Sequence, residues 1–222
     1  IISKLKIFAT IDILFYLTLI FTLIIMIWFY NAFNFIDGSD GMASVGTIFV
    51  SFSMMLLLSS KGFNDISLIL LIISSSTAGF LIFNKPKASI FMGDSGTKYL
   101  SFILLATILE SSIRDFNIIF VWSTIGGLYI VDTTLTTLTR LFTVPGFWKG
   151  HRTHAYQNLA RAWGHNQILK FSLLVNLIWC LPMGILGFMN PNHAPFICLI
   201  SFIPLIIYNY NYGPRFSELN NS

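Results

Sequence analysis

Long stretches without a charged side chain dominate the pattern of apolar and polar positions along the chain. Five of these stretches are each about 20 residues long: 13–36, 41–60, 66–84, 171–192 and 194–214. A helix that crosses a membrane needs about 20 mainly apolar residues. Two further stretches each carry one acid, since 116–138 contains Asp132 and 99–113 contains Glu110. The pattern predicts an all-α, polytopic integral membrane protein with about seven transmembrane helices.

The composition agrees with a membrane protein. Hydrophobic residues make up 55% of the chain and charged residues only 10%, whereas soluble domains carry roughly 25% charged residues. A soluble helical bundle needs charged outer faces, and the long apolar stretches provide almost none. The net charge of +4 is explained by membrane topology and a phosphate-bearing ligand, so no nucleic-acid partner is expected.

With seven helices, the loops after the first, third and fifth helices lie on one face of the membrane. These loops contain 31–41, 84–98 and 139–170. The basic residues assigned to this face are Lys85, Lys87, Lys98, Arg140, Lys149, Arg152, Arg161, Lys170 and Arg215. The basic residues assigned to the other face are Lys4, Lys6, Lys61 and Arg114. Because basic residues concentrate in cytoplasmic loops, we expect all three polar loops to face the cytoplasm.

The first polar cluster, NAFNFIDGSDG at 31–41, directly follows an uncharged run. If the first helix continues through it, Asn31, Asn34 and Asp37 share one face, and the two glycines that follow let a ligand approach the backbone. Asn, Asp and Gly are also the usual turn residues, but a turn needs only one or two of them. Such a cluster beside a membrane helix is costly unless it binds something. We therefore predict a site for a nucleotide and a metal-bound pyrophosphate.

The second cluster, FMGDSGT at 91–97, ends a loop and begins a helix. A lone acid such as Asp94 is often only an N-cap residue, and Ser95 or Thr97 could cap the helix as well. A carboxylate at the membrane edge is also typical of sites that hold Mg²⁺ beside substrate phosphates. Because this cluster is expected on the same face as the first, we interpret Asp94 as functional.

The third cluster lies in the segment VPGFWKGHRTHAYQ. Arg152 offers a planar fork for phosphate oxygens. His151 and His154 could bind a metal, although an HxxH pair without a third soft ligand is weak for zinc. A basic loop resting on lipid headgroups would explain the charges but not the histidines, so a functional loop is favoured. Phe147 and Trp148 are expected to be interfacial anchors.

Asp132 lies within the fifth predicted helix. An acid inside a membrane helix is a functional candidate by default. It could instead cap or hydrogen-bond a neighbouring helix, together with its neighbours Thr133, Thr134 and Thr136. The sequence leaves both alternatives open.

The segments NAFNFIDGSDGMA, FMGDSGT and GHRTHAYQ together resemble the polyprenyl-phosphate N-acetylhexosamine-1-phosphate transferases, the family that includes the translocase forming lipid I. The HRTHAYQ form is similar to the branch that serves O-antigen. The resemblance implies transfer of a HexNAc-1-phosphate from a UDP-sugar to undecaprenyl phosphate with release of UMP, which initiates a surface glycan such as O-antigen. It also implies a multi-pass protein of the bacterial inner (cytoplasmic) membrane with its active site on the cytoplasmic face.

The resemblance also implies roles for the matching residues. The metal would be Mg²⁺, or Mn²⁺, held by Asn34 and Asp94. The implied catalytic residues are Asp37, Asp94, His151 and His154. The implied substrate-binding residues are Asn31, Asn34, Gly38, Asp40, Phe91 and Arg152, with Asp40 near the nucleotide base and Arg152 at the diphosphate. The implied partners are UDP-N-acetylhexosamine, undecaprenyl phosphate and membrane lipid, and a homodimer is an open alternative.

One departure from the family pattern concerns a paired-aspartate motif on an earlier loop, because this chain contains no two consecutive aspartates. The chain also begins at Ile1 rather than Met. We therefore expect 1–222 to form a single transmembrane transferase domain whose upstream helices are missing. Two alternatives are an inactive nucleotide-sugar-binding membrane module and a transporter fragment. The second is disfavoured because transporters place polar residues near the bilayer midplane.

Overall fold

Every regular element in the described part of the computed structural model is a helix. The structure describes the backbone of residues 2–145 and 150–214 and the side chains of 13–145 and 150–214. The α-helices are α1 (Ile2–Ile36), α2 (Met42–Ser60), α3 (Asn64–Asn84), α4 (Gly93–Arg114), α5 (Ile118–Ile125), α6 (Gly127–Thr143), α7 (Ala155–Trp163), α8 (His165–Val175), α9 (Leu181–Met189) and α10 (Ala194–Tyr212). A π-helical segment, Asn176–Cys180, joins α8 to α9, and a 3₁₀ turn, Pro191–His193, precedes α10. Phe147 and Trp148, the expected interfacial anchors, lie outside the described residues.

The length and apolarity of these helices confirm the all-α polytopic membrane fold. The helical segments long and apolar enough to cross a membrane are Ile13–Ile36, Met42–Ser60, Asn64–Asn84, His165–Met189 and Pro191–Tyr212. The pair α5 and α6, bent by 78°, makes a sixth candidate if it counts as one broken span. The remaining predicted span, 99–113, falls in α4, which is 22 residues long but is not among the apolar candidates found in the described residues.

Helix α4 nevertheless runs from one end of the bundle to the other. Near its start, the Thr97 hydroxyl lies 3.4 Å from Oδ1 of Asn34, close to the end of α1. At its other end, Arg114 binds Asp65 in the first turn of α3. We call the end where α1 stops and α4 begins the motif end, and the end where α4 stops and α3 begins the far end. Despite its lower apolarity, α4 therefore connects the same two ends as its neighbours.

Two glycines and close packing on α10 explain the break between α5 and α6. Gly126 and Gly127 occupy the break. A Cβ added to Gly127 would lie 3.1 Å from Leu205 and 3.3 Å from Phe202, both on α10. The small residue lets α6 pack tightly on α10 while its axis leaves that of α5 by 78°.

Ion pairs close the far end. Arg114 donates to Asp65 at 2.9 Å and to Glu110 at 2.8 Å, and Lys61 pairs with Asp115. Lys61 also lies 5.6 Å above the ring of Phe188 near the end of α9. The Arg114 pairs are solvent-exposed, so each contributes only about 0–1 kcal/mol. Asp65, Glu110 and Asp115 are thus paired with basic side chains at the same end of the bundle.

Single cysteines should report the orientation of the two ends. Ser89 at the motif end and Asn190 at the far end are exposed, whereas the native Cys180 and Cys198 are buried. We expect a membrane-impermeant maleimide to label Ser89→Cys only in inverted vesicles and Asn190→Cys only in spheroplasts, because the distribution of basic residues in the sequence predicts a cytoplasmic motif end. Labelling of Ser89→Cys in spheroplasts would contradict that orientation.

Candidate functional site

The first polar cluster forms the end of α1 and a tight turn that α7 holds in place. The hydroxyl of Tyr156 donates to the carbonyl of Phe35 and accepts the backbone N–H of Gly38 at 3.0 Å. A Cβ on Gly38 would lie 2.2 Å from Nε2 of Gln157, so any larger residue there would require Gln157 to shift. Gly41 has a φ of +76°, which glycine adopts without strain. The expected end of the helix at these glycines is confirmed, since α1 stops before them and α2 begins directly after Gly41.

The second cluster opens α4 and meets Asn34 through Thr97. The Thr97 hydroxyl lies within hydrogen-bond distance of Asn34 Oδ1 at 3.4 Å and of the Asp94 carbonyl at 3.2 Å. Asp94 lies in the first turn of α4, the N-cap position is Met92, and no side chain of the described residues caps this helix. The alternatives in which Asp94, Ser95 or Thr97 caps the helix are therefore wrong. The contact instead brings the two expected metal ligands, Asn34 and Asp94, to the same place.

The carboxylates of Asp40 and Asp94 lie near enough to Asp37 for their charges to act on it. Burial raises the pKa of Asp37 from 3.8 to about 6, the nearby charges of Asp40 and Asp94 add to the rise, and the backbone N–H of Gly93 opposes it. Lys98 lies 3.2 Å from Asp94, but both side chains are more than half exposed, so the pair is largely screened by water. The result is an excess of negative charge that a cation would relieve.

Asp40 and Asn84 shape the loop between α3 and α4. One carboxylate oxygen of Asp40 accepts the backbone N–H groups of Lys87 at 3.2 Å and Ala88 at 3.3 Å. Asn84 is buried, accepts the hydroxyl of Ser44 at 2.7 Å and donates to the carbonyl of Ile90 at 3.0 Å. Sequence reasoning did not select Asn84, although an amide at the end of an apolar run before Lys-Pro is a usable signal. These contacts fix the loop that leads to Phe91 and Asp94.

The histidines of the third cluster stack beside the end of α1. The rings of His151 and His154 lie 5.1 Å apart, and the ring of Phe35 lies 5.3 Å from that of His154. Burial lowers the pKa of His151 to about 4, with further contributions from His154 and Arg140, so His151 is neutral at pH 7. His154 is buried, and neither ring nitrogen has a hydrogen-bond partner in the described part of the chain. The two expected catalytic histidines are therefore neighbours of the first cluster.

Asp132 holds α7 to the rest of the bundle. Its two carboxylate oxygens accept the backbone N–H groups of Ala155 at 3.0 Å and Tyr156 at 3.1 Å, the first N–H groups of α7. Asn209 on α10 donates to the same carboxylate at 2.8 Å, and Thr136 donates at 3.1 Å. Of the two alternatives for Asp132, the contacts favour the hydrogen-bonded cap of a neighbouring helix over a role in binding a ligand.

Three other expected substrate-binding residues lie at the surface of the motif end. Phe91 is 71% exposed, and Arg152 is exposed between the half-buried His151 and the buried His154. Asn31 is exposed one turn before Asn34, and its amide donates to the carbonyl of Ile27 at 2.8 Å. The structure therefore clusters Asn34, Asp37, Asp40 and Asp94 and leaves these three at the rim.

A cleft of about 460 Å³ lies between α1 and α6. Its lining is apolar where Ile24, Ile27 and Trp28 contribute and polar where Asn31, Arg140 and His151 contribute. Because Asn31 precedes Asn34 by one helical turn, the polar part of the cleft lies next to the carboxylate cluster.

Comparison with known proteins gives an independent line of evidence. The family model described as Glycosyl transferase family 4 matches residues 1–112 of the 222. This match includes the first two polar clusters and the helices α1 to α3 that carry and separate them.

Individual relatives agree with the family match. A phospho-N-acetylmuramoyl-pentapeptide-transferase of Carboxydothermus hydrogenoformans is 31% identical over 169 residues, which is 73% of this chain and 49% of the relative. The protein of the same description from Streptococcus agalactiae serotype Ia is 32% identical over 123 residues, 55% of this chain and 35% of the relative. A probable undecaprenyl-phosphate N-acetylglucosaminyl 1-phosphate transferase of Bacillus subtilis is 33% identical over 133 residues, 58% of this chain and 37% of the relative. The chain thus spans about a third to a half of the length of the curated relatives it matches.

Loss of one Asp132 oxygen should loosen α7. Asp132→Asn leaves one acceptor for two backbone N–H groups, so we expect a loss of about 1–3 kcal/mol in the free energy of unfolding. Thr134→Val is the matched control on the same helix, because the Thr134 hydroxyl is buried without a partner. Thermal unfolding in detergent and hydrogen exchange of α7 would check this, and unchanged exchange in Asp132→Asn would contradict it.

The pKa of Asp37 predicts a pH-dependent stability. Its folded pKa of about 6 exceeds the reference value of 3.8, so its contribution is fully present below pH 3.8 and is lost as the pH rises through 6. Without divalent cations, Asp37→Asn should therefore unfold at a higher temperature than wild type at pH 7.5, and the difference should disappear near pH 4.

The control for this experiment is Asp115→Asn at the far end. The Lys61 ammonium lowers the pKa of Asp115, so loss of that charge should lower the unfolding temperature at pH 7.5. An equal response of Asp37→Asn and Asp115→Asn would show that burial and the neighbouring carboxylates do not raise the pKa of Asp37.

Proposed function

The chain belongs to glycosyl transferase family 4, and from this premise we propose that it carries the substrate-binding core of a polyprenyl-phosphate sugar-1-phosphate transferase. The donor is a UDP-N-acetylhexosamine, the acceptor is undecaprenyl phosphate, and UMP is released. The reaction takes place at the cytoplasmic face of a bacterial inner membrane. Since the chain spans only part of its relatives, the complete transfer belongs to the whole protein.

The convergence of Asp37, Asp40 and Asp94 beside Asn34, at one end of a membrane bundle, is the observation that carries this proposal. A diphosphate donor is soluble and a polyprenyl acceptor is confined to the bilayer, so the two can meet only at a membrane surface. The polar residues lie at the ends of membrane helices, next to an apolar cleft that runs along α1. This arrangement suits the binding of a soluble donor and a membrane-bound acceptor at one place. The same placement argues against the transporter alternative, in which the polar residues lie near the midplane.

The residues present fit Mg²⁺, and Mn²⁺ by the same chemistry. The donors are carboxylate and carboxamide oxygens, which hard cations prefer, and Mg²⁺ is usually held by one or two carboxylates together with substrate phosphates. No cluster of three His, Cys, Asp or Glu side chains that could hold a metal occurs among the described residues, which suits that shared mode of binding. Asp94 and Asn34 would hold the ion, and the positive charge of the ion would stabilise the carboxylate of Asp37. When bound, the cation neutralises charge on the transferring phosphoryl group.

The other residues then position and orient the substrates. The acceptor phosphate already carries a nucleophilic oxygen, so in-line displacement requires mainly alignment and charge neutralisation. The guanidinium of Arg152 binds the donor diphosphate with its planar fork, and the exposed ring of Phe91 packs on the nucleotide base. His151, neutral at pH 7, offers a ring nitrogen to a phosphate hydroxyl, and His154 supports its ring from the buried side.

The resemblance of the HRTHAYQ segment to the branch that serves O-antigen supports a product for a surface glycan of that type rather than for peptidoglycan. An alternative is an inactive module that binds the nucleotide sugar. The two candidates share the donor site and differ in turnover. Release of UMP from UDP-N-acetylglucosamine and undecaprenyl phosphate distinguishes them.

Donor binding should depend on Asp94 and on the cation. We expect UDP-N-acetylglucosamine to bind at least about tenfold more tightly with Mg²⁺ than without it, and Asp94→Asn to remove this gain, because the amide lacks the charge that a hard cation prefers. Asp65→Asn is the matched control, with the same substitution at the far end. Isothermal titration with and without Mg²⁺ measures both variants, and wild-type affinity with wild-type Mg²⁺ dependence in Asp94→Asn would exclude the ligand role.

A further inference from the structure

Ser39, in the turn between α1 and α2, contacts the first residue of α8. The turn consists of residues 37–41 and carries two carboxylates of the candidate site, those of Asp37 and Asp40. Ser39 lies between these two residues in the sequence and is only 5% exposed. Its hydroxyl lies 2.7 Å from Nδ1 of His165, which is a hydrogen-bond distance. A side chain that lies 126 residues further along the chain therefore holds the middle of the turn.

A second contact between α8 and the turn lies one helical turn further along α8. A Cβ added to Gly41 would lie 3.1 Å from Cδ1 of Leu169, so this leucine covers the end of the turn. His165 and Leu169 are four residues apart and therefore lie on the same face of the helix. Ile168, between them, is fully buried and belongs to the same apolar cluster as Met42, the first residue of α2. The start of α8 is thus packed against the turn, and His165 projects from a fixed position.

Helices α7 and α8 hold the turn at two different residues. On α7, the hydroxyl of Tyr156 accepts the backbone N–H of Gly38, whereas on α8 the imidazole of His165 contacts the side chain of Ser39. Helix α8 is also the beginning of the candidate membrane span His165–Met189, so the second contact connects the turn to a long helix. Because the two contacts come from different helices, the turn stays attached to α7 when the contact with α8 is removed.

We propose that His165 is a positioning residue for the nucleotide-sugar donor, because through Ser39 it holds Asp37 and Asp40 in the arrangement that the donor meets. This assignment rests on the proposed function, since it presupposes that the donor binds beside these carboxylates. A loop that already has its bound conformation loses less conformational freedom when a ligand arrives. The contact between His165 and Ser39 therefore tightens donor binding, and His165 acts through Ser39 rather than by touching the reacting phosphates.

Substitutions at residue 165 separate this role from a general contribution to stability. His165→Ala removes the imidazole, and Ser39→Ala removes its partner. His165→Asn keeps a polar atom at the same number of bonds from Cβ as Nδ1, whereas His165→Gln moves that atom one bond further out. His193→Ala is the matched control, because His193 is also an exposed histidine next to the start of a helix, but at the far end. Isothermal titration with UDP-N-acetylglucosamine, with and without Mg²⁺, and thermal unfolding in detergent are measured for each variant.

We expect His165→Ala and Ser39→Ala each to weaken donor binding about fivefold, the effect of losing about one neutral hydrogen bond. The double variant should bind no more weakly than either single variant, because the two residues act through one contact. His165→Asn should bind nearly as tightly as wild type, and His165→Gln should not. The gain in affinity from Mg²⁺ should be the same in His165→Ala as in wild type, because Asp94 is not changed. His193→Ala should bind as wild type.

The opposite results identify which assumption is wrong. Donor affinity of His165→Ala within about twofold of wild type overturns the positioning role and leaves the proposed function in place. The role is also overturned if His165→Asn binds no better than His165→Ala, or if His193→Ala loses as much affinity as His165→Ala. Absence of donor binding by wild type contradicts the proposed function itself, and the positioning role with it. If His165→Ala does not fold, Ser39→Ala provides the same test, because it removes only one hydroxyl group.

Discussion

The carboxylate of Asp132 is the group on which the arrangement of the motif end depends. It satisfies the first two backbone N–H groups of α7 and receives the amide of Asn209, so one buried side chain joins α6, α7 and α10. The N-terminus of a helix favours a negative charge, and the bilayer interior offers no competing water. Without that carboxylate, α7 would have no polar attachment to α6. Tyr156 and Gln157 would then no longer be fixed against the turn that carries Asp37.

Gly38, in the turn after α1, takes part in the same packing from the side of α1. Gly38 accepts the close approach of Gln157 and donates its N–H to Tyr156. The turn after α1 and the start of α7 are therefore one packed unit, although they are separated by 118 residues in sequence. The histidines that lead into α7 reach Phe35 because of this packing. The first and third clusters are therefore neighbours because of these packing contacts.

The sequence predicts the helical membrane fold and the polar clusters well, because uncharged runs and glycine-interrupted acids are local features. It could not decide the role of Asp132, whose partners lie 23 and 77 residues further along the chain. The sequence analysis also counted Arg140 among the basic residues of a loop. A count of basic residues does not reveal that the axis of α6 leaves that of α5 by 78° after Gly126. Asn84 carried a local signal at the end of an apolar run, but its contact with Ser44, 40 residues away, forms only in the folded chain. Tertiary contacts, and not local propensity, decide the role of each of these residues.

Asp40 has a consequence for how a ligand can enter. Its carboxylate already accepts the N–H groups of Lys87 and Ala88, and Lys87 is held at a φ of +68°, a conformation that costs a non-glycine residue of order 1 kcal/mol. Both N–H groups meet the same carboxylate oxygen, Oδ2, so the other oxygen is free of these two contacts. A nucleotide in the proposed site can therefore approach Asp40 while the loop before α4 stays in place.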